Sequence, residues 1–234
     1  MRNSRARPLL AWGVHAYTAL GAVAAFAITV AIFQGRYQAA FLLMLAATAI
    51  DGTDGVLARW ARVKEATPRF DGARLDDIVD YLTFVFVPAL FLYRAGTLPP
   101  AWAGLIVSVI LLSSAYGFSA MDAKTQDYFF TGFPSYWNIV AVYIYAAQLP
   151  QLVNAGIVLV LSVLVFVRIG YVYPTRTPVL RGLTIALCAV WAAMVLLMIL
   201  MLPDVPGVLL IGSLFFPVYY FVLSLVLNTR RVRP

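Results

Sequence analysis

The chain has 234 residues, 63% of them hydrophobic and only 12% charged, with a formal net charge of +7 and a mean hydropathy of +0.89. Soluble domains carry roughly 45–50% apolar and about 25% charged residues, so an ordinary water-soluble globule is excluded. The single cysteine, Cys188, excludes an intrachain disulfide, and the positive charge reads as membrane topology rather than nucleic-acid binding.

The first predicted span covers residues 12–33. Its basic start precedes an apolar run longer than the ~7–15 residues of a signal peptide, so an uncleaved helix is expected. The small residues of "ALGAVAAFA" permit tight helix packing, within the chain or in a dimer. His15 reads as a helix–helix hydrogen-bonding residue more readily than as a catalyst. Further spans follow at 38–60, 74–95, 101–121, 134–149, 151–169, 179–202 and 206–227, most of them near the ~20 residues that cross a bilayer. The fifth and sixth are short and separated by "LPQ", which leaves a merged or tilted arrangement open. The expected fold is an all-α integral membrane protein. It is expected to form one transmembrane domain, 1–234, a polytopic helical bundle of about eight transmembrane helices.

The basic residues orient that bundle. With eight spans, one side holds Arg2, Arg5, Arg7, Arg59, Arg62, Lys64, Arg69, Arg74, Lys124, Arg168, Arg176, Arg181, Arg230, Arg231 and Arg233. The other side holds Arg36 and Arg94, fifteen against two. Cytoplasmic loops carry the Lys/Arg excess, so both termini are expected in the cytoplasm. Arg168, Arg176 and Arg181 follow the same rule and suit contact with anionic lipid.

Seven of the ten acidic residues fall in one window, "AIDGTDGVLARWARVKEATPRFDGARLDDIVDYLTF", residues 49–84. Asp51 lies roughly 20 Å along the second span at 1.5 Å per residue, in the cytoplasmic third of the bilayer. Asp76 and Asp80 lie at matching depth where the third span begins. Asp51 and Asp54 are spaced i,i+3, and Asp76 and Asp80 i,i+4, so each pair shares a helix face. Asp77 falls about 100° off that face. Four carboxylates can then converge between the two helices. A buried aspartate costs about 2.5–3.5 kcal/mol on insertion scales, and four together repel, so cations are expected among them. Oxygen donors without Cys or His suit Mg²⁺ or Mn²⁺.

Written as a pattern, the window is D51-x-x-D54-G55-x-x-A58-R59, twelve residues, then G72-x-x-x-D76-x-x-x-D80. This resembles the signature of the CDP-alcohol phosphotransferase family, DxxDGxxAR…GxxxDxxxD, at all eight fixed positions. The twelve-residue gap, the span count and "FF-x-GFPSYWN" at 129–138 resemble the bacterial phosphatidylcholine synthase branch. That resemblance implies transfer of a phosphatidyl group from CDP-diacylglycerol to choline with release of CMP. It implies a divalent metal pair, Mn²⁺ or Mg²⁺, on Asp51, Asp54, Asp76 and Asp80, with Asp80 also the general base. Gly55 and Ala58 would admit the CDP moiety, Arg59 would meet its phosphates, and Gly72 would keep the hairpin entrance narrow. It further implies a homodimer in the bacterial inner (cytoplasmic) membrane, with the active site near the cytoplasmic face.

A quaternary ammonium is held by aromatic faces. Tyr136 and Trp137, with Tyr128 and Tyr81, are the expected choline-binding residues, drawn from a set that includes Phe129, Phe130 and Phe133. Interfacial anchoring accounts for the same residues equally well. Two other readings stand beside choline transfer. One keeps the chemistry with serine, inositol or glycerol 3-phosphate as acceptor. The other is a divalent-cation transporter, which the off-centre acids and the absence of a repeat disfavour.

Overall fold

The computed structural model describes residues 6–123, 125, 127–174 and 176–231; Arg2, Arg5, Lys124 and Arg233, counted above, lie outside them. Helix α1 (Ala6–Phe33) runs into α2 (Tyr37–Trp60) through a tight reversal. Gly35 makes it possible, with a left-handed φ of 69°. The Gly35 N–H donates to the Ile32 carbonyl at 3.1 Å and the Arg36 N–H to that of Ala31 at 2.9 Å. These paired bonds satisfy carbonyls that the helix end leaves open. The two helices therefore pack side by side along their length.

Past α2, Arg62 adopts a left-handed φ of 50° and starts the single turn α3 (Val63–Ala66). The third predicted span is one rod in three pieces: α4 (Gly72–Asp80), a π-helical segment (Tyr81–Phe86) and α5 (Val87–Arg94). Pro88 accounts for the wide turn. It has no N–H to donate to the carbonyl four residues back, and its ring crowds that carbonyl.

The chain continues through α6 (Ala103–Ser119), α7 (Trp137–Ala147), α8 (Gln151–Leu164) and α9 (Arg181–Leu200). The last predicted span is α10 (Gly207–Ser213) followed by α11 (Phe215–Arg231). Two short strands, absent from the sequence reading, sit in the loops: β1 (Phe129–Thr131) and β2 (Gly170–Val172). They pair antiparallel, Phe130 opposite Tyr171. The ribbon is held on α11, where the Gly170 N–H donates to Asn228 Oδ1 at 2.9 Å and the Val172 N–H to Ser224 Oγ at 3.0 Å.

Among the described residues, four stretches are long and apolar enough to cross a membrane: Arg7–Phe33, Tyr37–Trp60, Arg181–Leu200 and Gly207–Thr229. Large apolar side chains such as Phe26, Leu183, Val190, Val208 and Ile211 are exposed on them, as lipid contact requires and water would penalise. The fold is all-α, and this exterior is that of an integral membrane protein. The interior is tied by polar side chains. Asn138 Nδ2 donates to Thr48 Oγ1 (2.9 Å), and Trp191 Nε1 to the Tyr143 hydroxyl (2.9 Å), which donates on to Ser213 Oγ (2.8 Å). The aromatic core of Phe41, Phe91 and Tyr145 packs near the start of α2. At 1.5 Å per residue, that is about 15 Å from Asp51, toward the other end of the helix.

Candidate active site

Helix α4 begins where Asp71 accepts the Arg74 N–H at 3.1 Å, a side-chain cap on an otherwise open helix end. Gly72 follows as the first helical residue, and the imidazole of His15 occupies the space beside it. A Cβ at Gly72 would lie 2.6 Å from His15 Cε1. This start sets the phase of α4 and hence of its acids.

Asp51 on α2 and Asp76 and Asp80 on α4 are all half-buried, and one carboxylate oxygen from each lies within 4.8 Å of the others. At that separation each ionised pair would repel by about 3 kcal/mol at an effective dielectric constant of ~20. Trans oxygens around Mg²⁺ are about 4.2 Å apart, given bonds of ~2.1 Å. The cluster is therefore close to the size of a hard-cation site, with the oxygen donors such a cation takes. These three carboxylates could hold a divalent metal ion.

The structure brings together three of the four aspartates expected to converge. Asp54 is buried, and its Oδ2 accepts from Thr18 Oγ1 at 2.8 Å. Three residues along a helix is a rotation of about 300°, so Asp54 turns some 60° from Asp51 toward α1. Arg59 is exposed, and its Nη1 would lie 3.3 Å from a Cβ at Gly55. The missing side chain of Gly55 thus lets the guanidinium fold back along α2. Ala58 packs on the small cluster of Ala11, Val14, Ala61 and Val63 between α1, α2 and α3.

The aromatic residues divide. Tyr136 directly precedes α7, in the neighbourhood of Asp51 and Asp80. Its ring centroid lies 6.3 Å from Phe84 and 6.4 Å from Phe130, which lies 4.7 Å from Tyr173 at a tilt of 31°. Trp137 goes the other way. It is fully buried, its Nε1 donates to Ser114 Oγ at 2.8 Å, and its ring meets Phe133 edge-on. Tyr136 stands outside the helix with a non-helical ψ of 56°, so its ring is free of the direction that Trp137 takes in locking α7 to α6. The Tyr81 hydroxyl donates to the Leu111 carbonyl at 2.9 Å, which turns that ring to α6 as well. Tyr128 is exposed, with the Arg176 guanidinium 5.9 Å from its ring centre and 5.7 Å from that of Tyr173. Phe84 and Tyr173 were not anticipated. Phe84 was readable in principle, one turn after Asp80, whereas Tyr173 arrives only through β1–β2 pairing.

No family model matches the chain. A phosphatidylcholine synthase of Pseudomonas aeruginosa is 43% identical over 213 residues, covering 91% of this chain and 89% of that protein. One of Rhizobium meliloti is 35% identical over 219 residues, covering 93% and 90%. One of Borreliella burgdorferi is 38% identical over 177 residues, covering 76% of each. The chain belongs to the bacterial phosphatidylcholine synthase family.

Proposed function

We propose that this protein transfers the phosphatidyl group of CDP-diacylglycerol to choline and releases CMP. The observation that carries the reading is the meeting of Asp51, Asp76 and Asp80 oxygens from two helices within 4.8 Å. They stand at the positions where the nucleotide-transfer signature has its acids. A divalent pair, Mn²⁺ or Mg²⁺, is the cofactor, held by these three with Asp54 completing the set. When bound, it polarises the phosphoryl oxygens and offsets charge on the departing nucleotide.

The chain's own residues do the rest. Choline's hydroxyl gives its proton to the Asp80 carboxylate, and its oxygen bonds to the phosphorus that carries diacylglycerol. The bond from that phosphorus to the CMP oxygen breaks on the opposite side. Arg59 offers a planar fork to the phosphates, and Gly55 removes the bulk that would keep the nucleotide from α2. Gly72 and Ala58 keep the hairpin tight. Tyr136, with Phe84, Phe130 and Tyr173, supplies aromatic faces for the trimethylammonium group.

The bundle is one domain of eight spans with both termini cytoplasmic, supported by the Lys/Arg asymmetry. It resides in the bacterial inner membrane as a homodimer, with the site near the cytoplasmic face. Purified protein with CDP-diacylglycerol and Mn²⁺, offered choline, serine, inositol and glycerol 3-phosphate in parallel, tests the reading. CMP release with choline is expected. Release with another alcohol instead would change the acceptor, and release with none would remove the enzyme reading.

A further inference from the structure

We propose that one stripe of α1, formed by His15, Thr18 and Gly21, is a positioning element that sets both acid-bearing helices against each other. The inference rests on the metal reading above and assigns roles to residues that touch neither metal nor substrate. The three residues are spaced i, i+3, i+6, a stripe that winds about 120° around α1, and all three are buried. Each meets a different part of the acid hairpin.

His15 holds the entry to α4. The Thr67 hydroxyl donates to the Val63 carbonyl at 3.0 Å, so at 2.9 Å it must accept from His15 Nε2. His15 thus carries a hydrogen on Nε2, with its Cε1 edge toward Gly72 and its ring centroid 4.4 Å from that of Phe70. Thr18 holds α2 by donating to Asp54 Oδ2, the only role its hydroxyl needs to play there. Gly21 lets α1 approach α4 at Val79, the residue before Asp80, where any side chain would collide with the Val79 methyl groups. One rigid helix thus touches α4 at both ends and α2 in between. Partners of this kind orient metal-binding carboxylates, and their loss costs about 10–100-fold in metal affinity.

The test compares Thr18→Val, which keeps shape and loses the donor, with Thr18→Ser, which keeps the donor. Mn²⁺ uptake by the purified protein with CMP present is read from the electron paramagnetic resonance signal of free Mn²⁺. The Mn²⁺ dependence of CMP release and the Tm are recorded in parallel. Thr18→Val is expected to need about tenfold more Mn²⁺ for half-occupancy, with choline KM unchanged, and Thr18→Ser to stay within about twofold of wild type. His15→Phe, which fills the site without a donor, is expected to raise the Mn²⁺ requirement in the same direction. Should Thr18→Val take up Mn²⁺ like wild type, or should its deficit equal its loss of folded protein, the positioning role is overturned. Wild-type protein that takes up no Mn²⁺ overturns the metal reading, and the positioning role with it.

Discussion

Asp51 of α2 and Asp80 at the end of α4 bring carboxylate oxygens within 4.8 Å of each other across the hairpin. Neither is a solvated surface acid, since both are half-buried between helices. A base at Asp80 contributes about 10²–10⁴-fold to a proton-transfer step. Asp80→Asn is expected to lower CMP turnover by at least about 100-fold while the protein still extracts and elutes as wild type does. Near-normal turnover with metal bound would remove Asp80 as the base.

Trp137 gives the opposite outcome to the one its position beside Tyr136 suggests. With no exposed surface and its indole bonded to Ser114, it is part of the core. Trp137→Ala is expected to cost about 3–5 kcal/mol of stability. The surviving folded fraction keeps its choline KM. A raised choline KM at unchanged Tm would return Trp137 to the alcohol site.

Tyr136 lies beside Phe84, one turn after Asp80, and beside Phe130. Cation–π contacts are worth about 0.5–2 kcal/mol, so Tyr136→Ala is expected to raise choline KM about tenfold. Tyr136→Phe keeps the ring face and stays near wild type. Equal effects of the two substitutions would assign the role to the hydroxyl rather than the ring.

Tyr171 lies in β2 with a buried hydroxyl that has no hydrogen-bond partner among the described residues. Burial pushes its phenol above the usual range. An unmet buried hydroxyl costs about 1–3 kcal/mol, so Tyr171→Phe is expected to raise Tm by about 2–12 °C with turnover unchanged. A loss of activity at raised Tm would show that this hydroxyl serves the substrate.

Much of this architecture was legible from spacing. Apolar runs located the helices, and the i,i+4 spacing of Asp76 and Asp80 put those two acids on one face of α4, near Asp51 of α2. Three features were not legible because they arise from contacts distant in sequence. Asp54 is tied through one oxygen to Thr18 on another helix. The β1–β2 ribbon exists because α11 supplies Asn228 and Ser224 to its edge. The space at Gly72 is explained only by His15. Pro88 was a local signal of a different kind. It marks an interrupted hydrogen-bond ladder, which reading the third span as one uniform helix passed over.

The most direct test is crystallographic, with protein soaked in Mn²⁺ and CDP-diacylglycerol and anomalous scattering recorded at the manganese edge. The account predicts a peak bounded by the carboxylates of Asp51, Asp76 and Asp80, lost in Asp76→Ala. Manganese bound elsewhere in protein that is turning over choline, with no peak between these three residues, would contradict it.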